Sequence, residues 1–306
     1  MTNPEFIPFA KGDEKLDWLG LTEAIEQAHS LPKAEISDTF LYRGKDTLLS
    51  RSAWIDGIGI LVKSATIFPG NHDVGKPLIH GSVSVLNNDD GDLAAYLDFK
   101  LVTKWKTAGD SLLGALKLAR PNSRKILIIG AGEVANNLRQ AYGAGFPEAE
   151  FTIWNRTKSK AETLAAQFPN TTAANSSLQE AIAEADIITS ATMVSEPVIK
   201  GEWLKPGQHV DLIGAYRPDM READDEAMRR ATVFVDSYDT TVEHIGELIK
   251  PIASGAILAS DIPADYYNIA DMRRTSDDQI TLFKNGGGAH LDLMTSVYIL
   301  QQWRDK

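Results

Sequence analysis

The stretch Lys125-Ile126-Leu127-Ile128-Ile129-Gly130-Ala131-Gly132-Glu133-Val134-Ala135 decides the fold. Its opening KILII run is almost wholly apolar, as in a strand buried on both faces of a parallel sheet. A G-x-G-x-x-A sequence follows at once, and Val134 to Tyr142 then reads as a helix. In that order Gly130 permits a tight turn, Gly132 lets backbone approach a pyrophosphate, and Ala135 allows close helix–strand packing. The unpaired N–H groups where the helix begins attract phosphate charge. Gly130, Ala131, Gly132, Glu133, Val134 and Ala135 are therefore read as a dinucleotide-binding loop.

Downstream, FTIWN, ADIITSAT, HVDLIGA and TVFVDS repeat the short apolar pattern, with helical segments such as KSKAETLAAQF between them. Strands alternating with helices predict a doubly wound parallel sheet of Rossmann type. The second strand ends in Asn155-Arg156-Thr157-Lys158, with no carboxylate to hold a ribose 2′-hydroxyl. Arg156 offers a planar fork to a 2′-phosphate, and Asn155 and Thr157 add neutral donors. This favours NADP, with NAD as the alternative.

Upstream, residues 1–120 read as an α+β domain. Leu16 to Leu31 has helical spacing, and DTFLYR and TLLSRSAWI flank a turn at Gly44-Lys45-Asp46. Further strands are expected at Ile58 to Phe68 and Ile79 to Asn87, and a helix from Val102 to Ala119. Arg120-Pro121-Asn122-Ser123 breaks that helix and is the most linker-like point, so the dinucleotide domain is assigned to residues 121–288. The closing segment GAHLDLMTSVYILQQWRDK reads as an amphipathic helix, 289–306, expected to pack back on the first domain.

The full chain has 306 residues, a net charge of −11 and no cysteine. The acidic surplus argues against nucleic acid and anionic membrane as partners. Absence of cysteine removes disulfides and thiolate chemistry. No signal-peptide pattern and no bilayer-length apolar run occurs, so a cytoplasmic protein is expected. The six histidines lack ligand-like spacing, and no metal is expected.

Lys63 interrupts the apolar run GILVKSATIF, where a lysine either snorkels to an edge or serves a site. Lys106, Arg51 and Arg43 read as surface charges by default. Gly286-Gly287-Gly288 precedes the last helix and permits close backbone approach to a ligand, with the nicotinamide end expected at Gly288.

The segments LVKSATIFPGN, NNDDGDLAAYLDFKLVTKWKTAGDS, LIIGAGEVA, GAYRPDMREADDEAM, FVDS and FKNGGGAHLD occur in this order. From about Gly57 onward the chain resembles the ornithine cyclodeaminase/mu-crystallin family; the first fifty residues align poorly. The resemblance implies a homodimer, each chain with a substrate and dimerisation domain, a Rossmann domain and a cleft between them. It implies that Lys63 contacts the substrate. The family's helix arginine, in an RTAA pattern, becomes Lys106 in WKTAGDS, which keeps the charge but gives up a bidentate carboxylate clamp. A further family arginine corresponds to Arg51 or Arg43. Asp292 is a candidate partner for the site lysine, helix N-terminal charge stabilisation being the alternative.

Ornithine cyclodeaminase carries an aspartate where this chain has Tyr216, which speaks against cyclodeamination. Tyr216 would instead cover the nicotinamide or simply pack in its loop. The expected activity is NADPH-dependent reduction of a small cyclic α-imino acid, Δ1-pyrroline-2-carboxylate or Δ1-piperideine-2-carboxylate, to proline or pipecolate. Alternatives are ornithine cyclodeamination, alanine dehydrogenase or opine-type reduction, and cofactor-dependent small-ligand binding.

Overall fold

The computed structural model describes residues 4–305, the side chains of His72 and Asp73 excepted. Two compact units arise, Met1–Lys106 with Gly288–Lys306, and Thr107–Gly287. The division falls inside the helix Phe99–Leu118 rather than at the Arg120-Pro121 break. Pro121 marks where that helix must stop, and a helix can serve two units without stopping.

The first unit begins with β1 (Glu5–Ile7), α1 (Phe9–Asp13) and α2 (Trp18–Ala28). Asp17 caps α2 by accepting the Gly20 N–H at 2.7 Å. β2 (Glu35–Arg43) and β3 (Asp46–Ile55) form the expected hairpin, with Gly44 at φ +59 in its turn. β4 (Gly59–Ile67), β5 (Ile79–Leu86) and β6 (Leu93–Asp98) extend the sheet, and α3 (Phe99–Leu118) follows directly. The strand order is β1-β6-β5-β4-β3-β2, antiparallel except where β1 runs parallel to β6. The β1 pairing was not foreseen, because three residues of strand carry almost no periodic signal.

In β4, Leu61, Lys63 and Ala65 are buried while Val62 is exposed, so the lysine sits on the core face of an alternating strand. One rung crosses the whole sheet through Asp38, Arg51, Lys63, Val83, Leu97 and Ile7. Charged side chains far apart in sequence thus become lateral neighbours.

The second unit holds β7 (Lys125–Ile129), α4 (Glu133–Gly145), β8 (Glu150–Trp154), α5 (Lys158–Ala165), β9 (Thr171–Ala173), α6 (Leu178–Glu184) and β10 (Ile187–Ser190). It continues with β11 (His209–Leu212), α7 (Asp225–Arg230), β12 (Ala231–Val235), α8 (Tyr238–Thr241), α9 (Gly246–Ala253) and β13 (Ile280–Lys284). All neighbouring strands pair in parallel, in the order β12-β13-β11-β10-β7-β8-β9. The chain runs outward from β7 to β9, then restarts at β10 on the other side of β7. Ligands of such sheets bind at this reversal, outside the carboxyl ends of the strands. β13 was missed in the sequence; it inserts between β11 and β12 and is buried at every residue.

α10 (Ala289–Arg304) closes the chain and packs on α2, β3 and β4 of the first unit. It corrects one expectation: the helix is buried around its circumference from Ala289 to Leu300, Val297 being half-buried, and is not amphipathic. Polar residues such as Asp292, Thr295 and Ser296 are fully enclosed within it.

Candidate active site

At the end of β7, Gly130 takes φ +118, a conformation that favours glycine. A Cβ there would lie 3.1 Å from the Ala191 carbonyl oxygen. Gly132 is the N-cap of α4 and has open space where a side chain would stand. Ala135 is buried against the sheet, and Val134 is exposed at the first turn. Beside the loop, Ala131, Gly132, Glu133 and Asn136 line a pocket of about 410 Å³ with Ser159 and Lys160. The open backbone, the free helix start and a lysine suit a diphosphate group. At the end of β8, Asn155 donates to the Thr157 carbonyl at 2.9 Å, while Thr157 stands at the N-cap position of α5 without a side-chain capping bond and Arg156 is exposed. Tyr216 is 55% exposed in the loop after β11, and Gly288 is the N-cap of α10.

The cations gather in the first unit. Lys63 Nζ donates to Asp292 Oδ1 at 2.8 Å and to Thr103 Oγ1 at 3.0 Å, and lies 4.8 Å from the centre of the Phe99 ring. Phe99, Thr103 and Lys106 are spaced to share one face of α3. Arg51 grips Asp38 with two hydrogen bonds, at 2.7 and 3.2 Å, and reaches Asp292 Oδ2 at 3.3 Å. Asp292, in the first turn of α10, is thus the common anion of Lys63 and Arg51.

Electrostatics follow from this packing. Burial drives Lys63 down to about 8, against the pull of Asp292 and with the push of Lys106 and Arg51. Burial alone would raise Asp292, but Lys63, Lys106 and Arg51 overcome it and hold the carboxyl at about 2. Lys63 therefore does not snorkel to an edge, and Asp292 pairs with it in addition to lying at a helix start. Arg43 does not join them. It sits at the tip of the β2–β3 hairpin, 79% exposed and paired with Asp46, because a residue beside the turn is carried to the far end of the sheet.

Sequence reasoning overlooked a second charged group, in the dinucleotide unit. Asp211, Glu222, Asp236, Glu247 and Lys284 are all fully buried. Lys284 donates to the carbonyls of Leu212 and Asn285. Burial raises Asp211 to about 6, and burial together with Glu222 raises Glu247 to about 7. Lys284 carries the same signal as Lys63, a lysine within the apolar run TLFKN. Asp211 carries it too, within HVDLIGA, whereas Glu222 stands in a polar loop, Asp236 at a strand end and Glu247 in the first turn of α9, where an acid is ordinary.

The ornithine cyclodeaminase/mu-crystallin family model matches residues 56–306. The chain belongs to this family. It is 50% identical over 303 residues to the Δ1-pyrroline-2-carboxylate reductase of Paracoccus denitrificans, covering 97% of this chain and 96% of that protein. It is 32% identical over 244 residues to the ketimine reductase mu-crystallin of Mus musculus, covering 80% and 76%. Among solved structures it resembles the Thermococcus litoralis Δ1-pyrroline-2-carboxylate reductase in complex with NADH and L-proline. That match has a TM-score of 0.89 and 24% identity over 98% of both chains. An archaeal alanine dehydrogenase dimer with bound NAD matches with a TM-score of 0.88 and 24% identity, over 98% of this chain and 95% of that one. At these identities the structures establish a common fold.

Proposed function

We propose that the chain reduces a small cyclic α-imino acid with a nicotinamide cofactor, Δ1-pyrroline-2-carboxylate to proline first and Δ1-piperideine-2-carboxylate to pipecolate second. The observation that carries this reading is Lys63, a buried amine on the core face of β4, ion-paired and flanked by two further cations. Half-identity over almost the whole length of a pyrroline-carboxylate reductase supports the substrate class.

When bound, the reduced nicotinamide supplies hydride to the C=N carbon. Lys106 and Arg51 receive the substrate carboxylate, with Asp38 and Asp292 holding the Arg51 fork in orientation. Lys63 donates a proton to the imine nitrogen as it gains electron density, leaving a secondary amine. With a pKa of about 8, Lys63 is protonated at neutral pH and still gives its proton up readily. Asp292 stays ionised, fixes the ammonium and attracts its replacement proton. Stoichiometric NAD(P)H oxidation with either imine, and none with ornithine, is the expected result. Ammonia release from ornithine without net cofactor consumption would establish cyclodeamination instead, and binding without any turnover would establish a ligand carrier.

The proposed cofactor is NADP, supported by the exposed Arg156 at the end of β8 and by the lack of a carboxylate there. Arg156→Ala should raise KM for NADPH about ten-fold, the worth of a charge-assisted contact. KM for NADH should stay nearly constant, and equal changes for both cofactors would remove the assignment. We place the enzyme in the cytoplasm, where both dinucleotides are available, as a homodimer. Phe6, Tyr96, Val62 and Trp54 are exposed on the sheet face opposite Lys63, an apolar surface that a second copy would cover. Sedimentation at micromolar concentration should give twice the chain mass.

A further inference from the structure

Two loops leave the carboxyl ends of β10 and β11, the side of the parallel sheet where a ligand binds. The first carries Ala191, Thr192 and Met193; the second carries Gly214, Ala215 and Tyr216. Met193 is 76% exposed and Tyr216 55%, so each loop presents a large side chain to its surroundings. The loops touch backbone to backbone: any Cβ on Gly214 would collide with the backbone of Thr192. Nothing in that contact itself holds them together, since the approach is steric.

Backbone bonds join the loops elsewhere, Ile213 N–H to the Ser190 carbonyl and Arg221 N–H to the Val194 carbonyl, and at Thr192 and Gly214 the fastening is one carboxylate, Glu222. Its Oε1 accepts from the Ser190 hydroxyl at 2.6 Å, the Thr192 N–H at 2.8 Å and the Thr192 hydroxyl at 2.8 Å. Its Oε2 accepts from the Gly214 N–H at 2.5 Å and the Ala215 N–H at 3.2 Å. One oxygen serves the β10 loop and the other serves the β11 loop. The three backbone N–H groups can only donate, and with Lys284 and the two hydroxyls they favour the ionised carboxylate against burial, which raises Glu222. Glu222 is in turn set by Glu247, whose two oxygens accept the backbone N–H groups of Glu222 and Ala223 at 2.7 and 3.0 Å.

We infer that Glu222 is the positioning residue of the cofactor site, locking the Thr192 and Gly214 loops in the arrangement that receives the nicotinamide half of the dinucleotide. The inference rests on the proposed nicotinamide-dependent reaction and adds a residue that never touches the substrate. An amide in its place would turn an NH2 group toward one set of donors, because Gln has a single acceptor oxygen. The loops would then lose their common side-chain anchor at Thr192 and Gly214 while the backbone bonds between them and the apolar core beneath stay intact.

Glu222→Gln in the full-length protein tests this by titration of NADPH and NADH fluorescence, steady-state kinetics and thermal melting. The dissociation constant for the preferred dinucleotide should rise about ten-fold or more, in line with leaving several donors unsatisfied. KM for the imino acid at saturating cofactor should change less than about two-fold, since the substrate cations lie elsewhere in the chain. A carboxylate that merely supported the fold would lower the melting temperature and the active fraction but leave the folded protein's dissociation constant unchanged. That outcome overturns the inference. Should Glu222→Gln fail to fold, the Ser190→Ala/Thr192→Val pair removes two donors and leaves the carboxylate. Several-fold weaker dinucleotide binding supports the inference, and binding within two-fold of the parent overturns it. Failure of the parent protein to bind either dinucleotide would instead sink the proposed function.

Discussion

The two units bury charge in opposite proportions. In the first, Lys63, Lys106 and Arg51 gather about Asp292 and the partly exposed Asp38. In the second, Asp211, Glu222, Asp236 and Glu247 surround Lys284, whose charge acts on all four. The surplus acids are satisfied internally. Asp236, for example, accepts from Ser237, Thr241, Gly286 and Gly287. Backbone N–H groups are abundant at loop and helix starts, so extra carboxylates can be stabilised without any ligand. Lys284 likewise uses backbone carbonyls, those of Leu212 and Asn285. On the proposed reading the first cluster is a receptor for a substrate carboxylate, whereas the second braces its own unit.

The sharpest way to break this contrast is to remove the central cation. Lys63→Ala should lower kcat by about 10²–10⁴-fold, the usual worth of a positioned general acid. Full turnover by that variant would end the receptor reading. The same group sets a pH limb. A donor with a pKa of about 8 is protonated below that pH, so kcat/KM should decline as pH rises through about 8. Asp292→Asn removes the anion that opposes burial and should move this limb to lower pH; a limb that stays in place would assign it to another group.

Smaller and of a different kind is the effect expected at Lys106. Lys106→Ala should raise KM for the imino acid roughly ten-fold or more, from the loss of one charge-assisted contact, with a lesser change in kcat. An unchanged KM would take Lys106 out of the carboxylate site. Lys106→Arg offers a fork where the family's arginine stands and should retain binding better than alanine. Least affected should be Arg43→Ala, which removes an exposed pair at a hairpin tip. Stability should shift by no more than about 0.5 kcal/mol and kinetics not at all. A kinetic defect there would mean that the cation cluster extends beyond the rung containing Arg51.

Much of this is legible in the sequence. KILII with its glycine loop announced the parallel sheet, because strands buried on both faces must be apolar and a phosphate-facing turn must spare its side chains. The β2–β3 hairpin, α2 and α3 were equally open to reading. Illegible were β1 and β13, the one too short and the other joining β11 and β12 out of chain order. Lys63 drew attention because it broke an apolar run, yet no local pattern could choose between Arg51 and Arg43. Glu222 stood in a polar loop and gave no signal at all.

Local chemistry, then, determined the strand–glycine turn–helix unit, the family and the presence of a lysine where a lysine is costly. Only the tertiary structure decided which charges meet. Strand register set Arg51 beside Lys63 and Asp38, and the return of the C-terminal helix brought Asp292 from the far end of the chain. The reason is physical: backbone conformation follows from neighbours in sequence, whereas a pKa and an ion pair depend on burial and distance, which exist only once the chain has closed on itself.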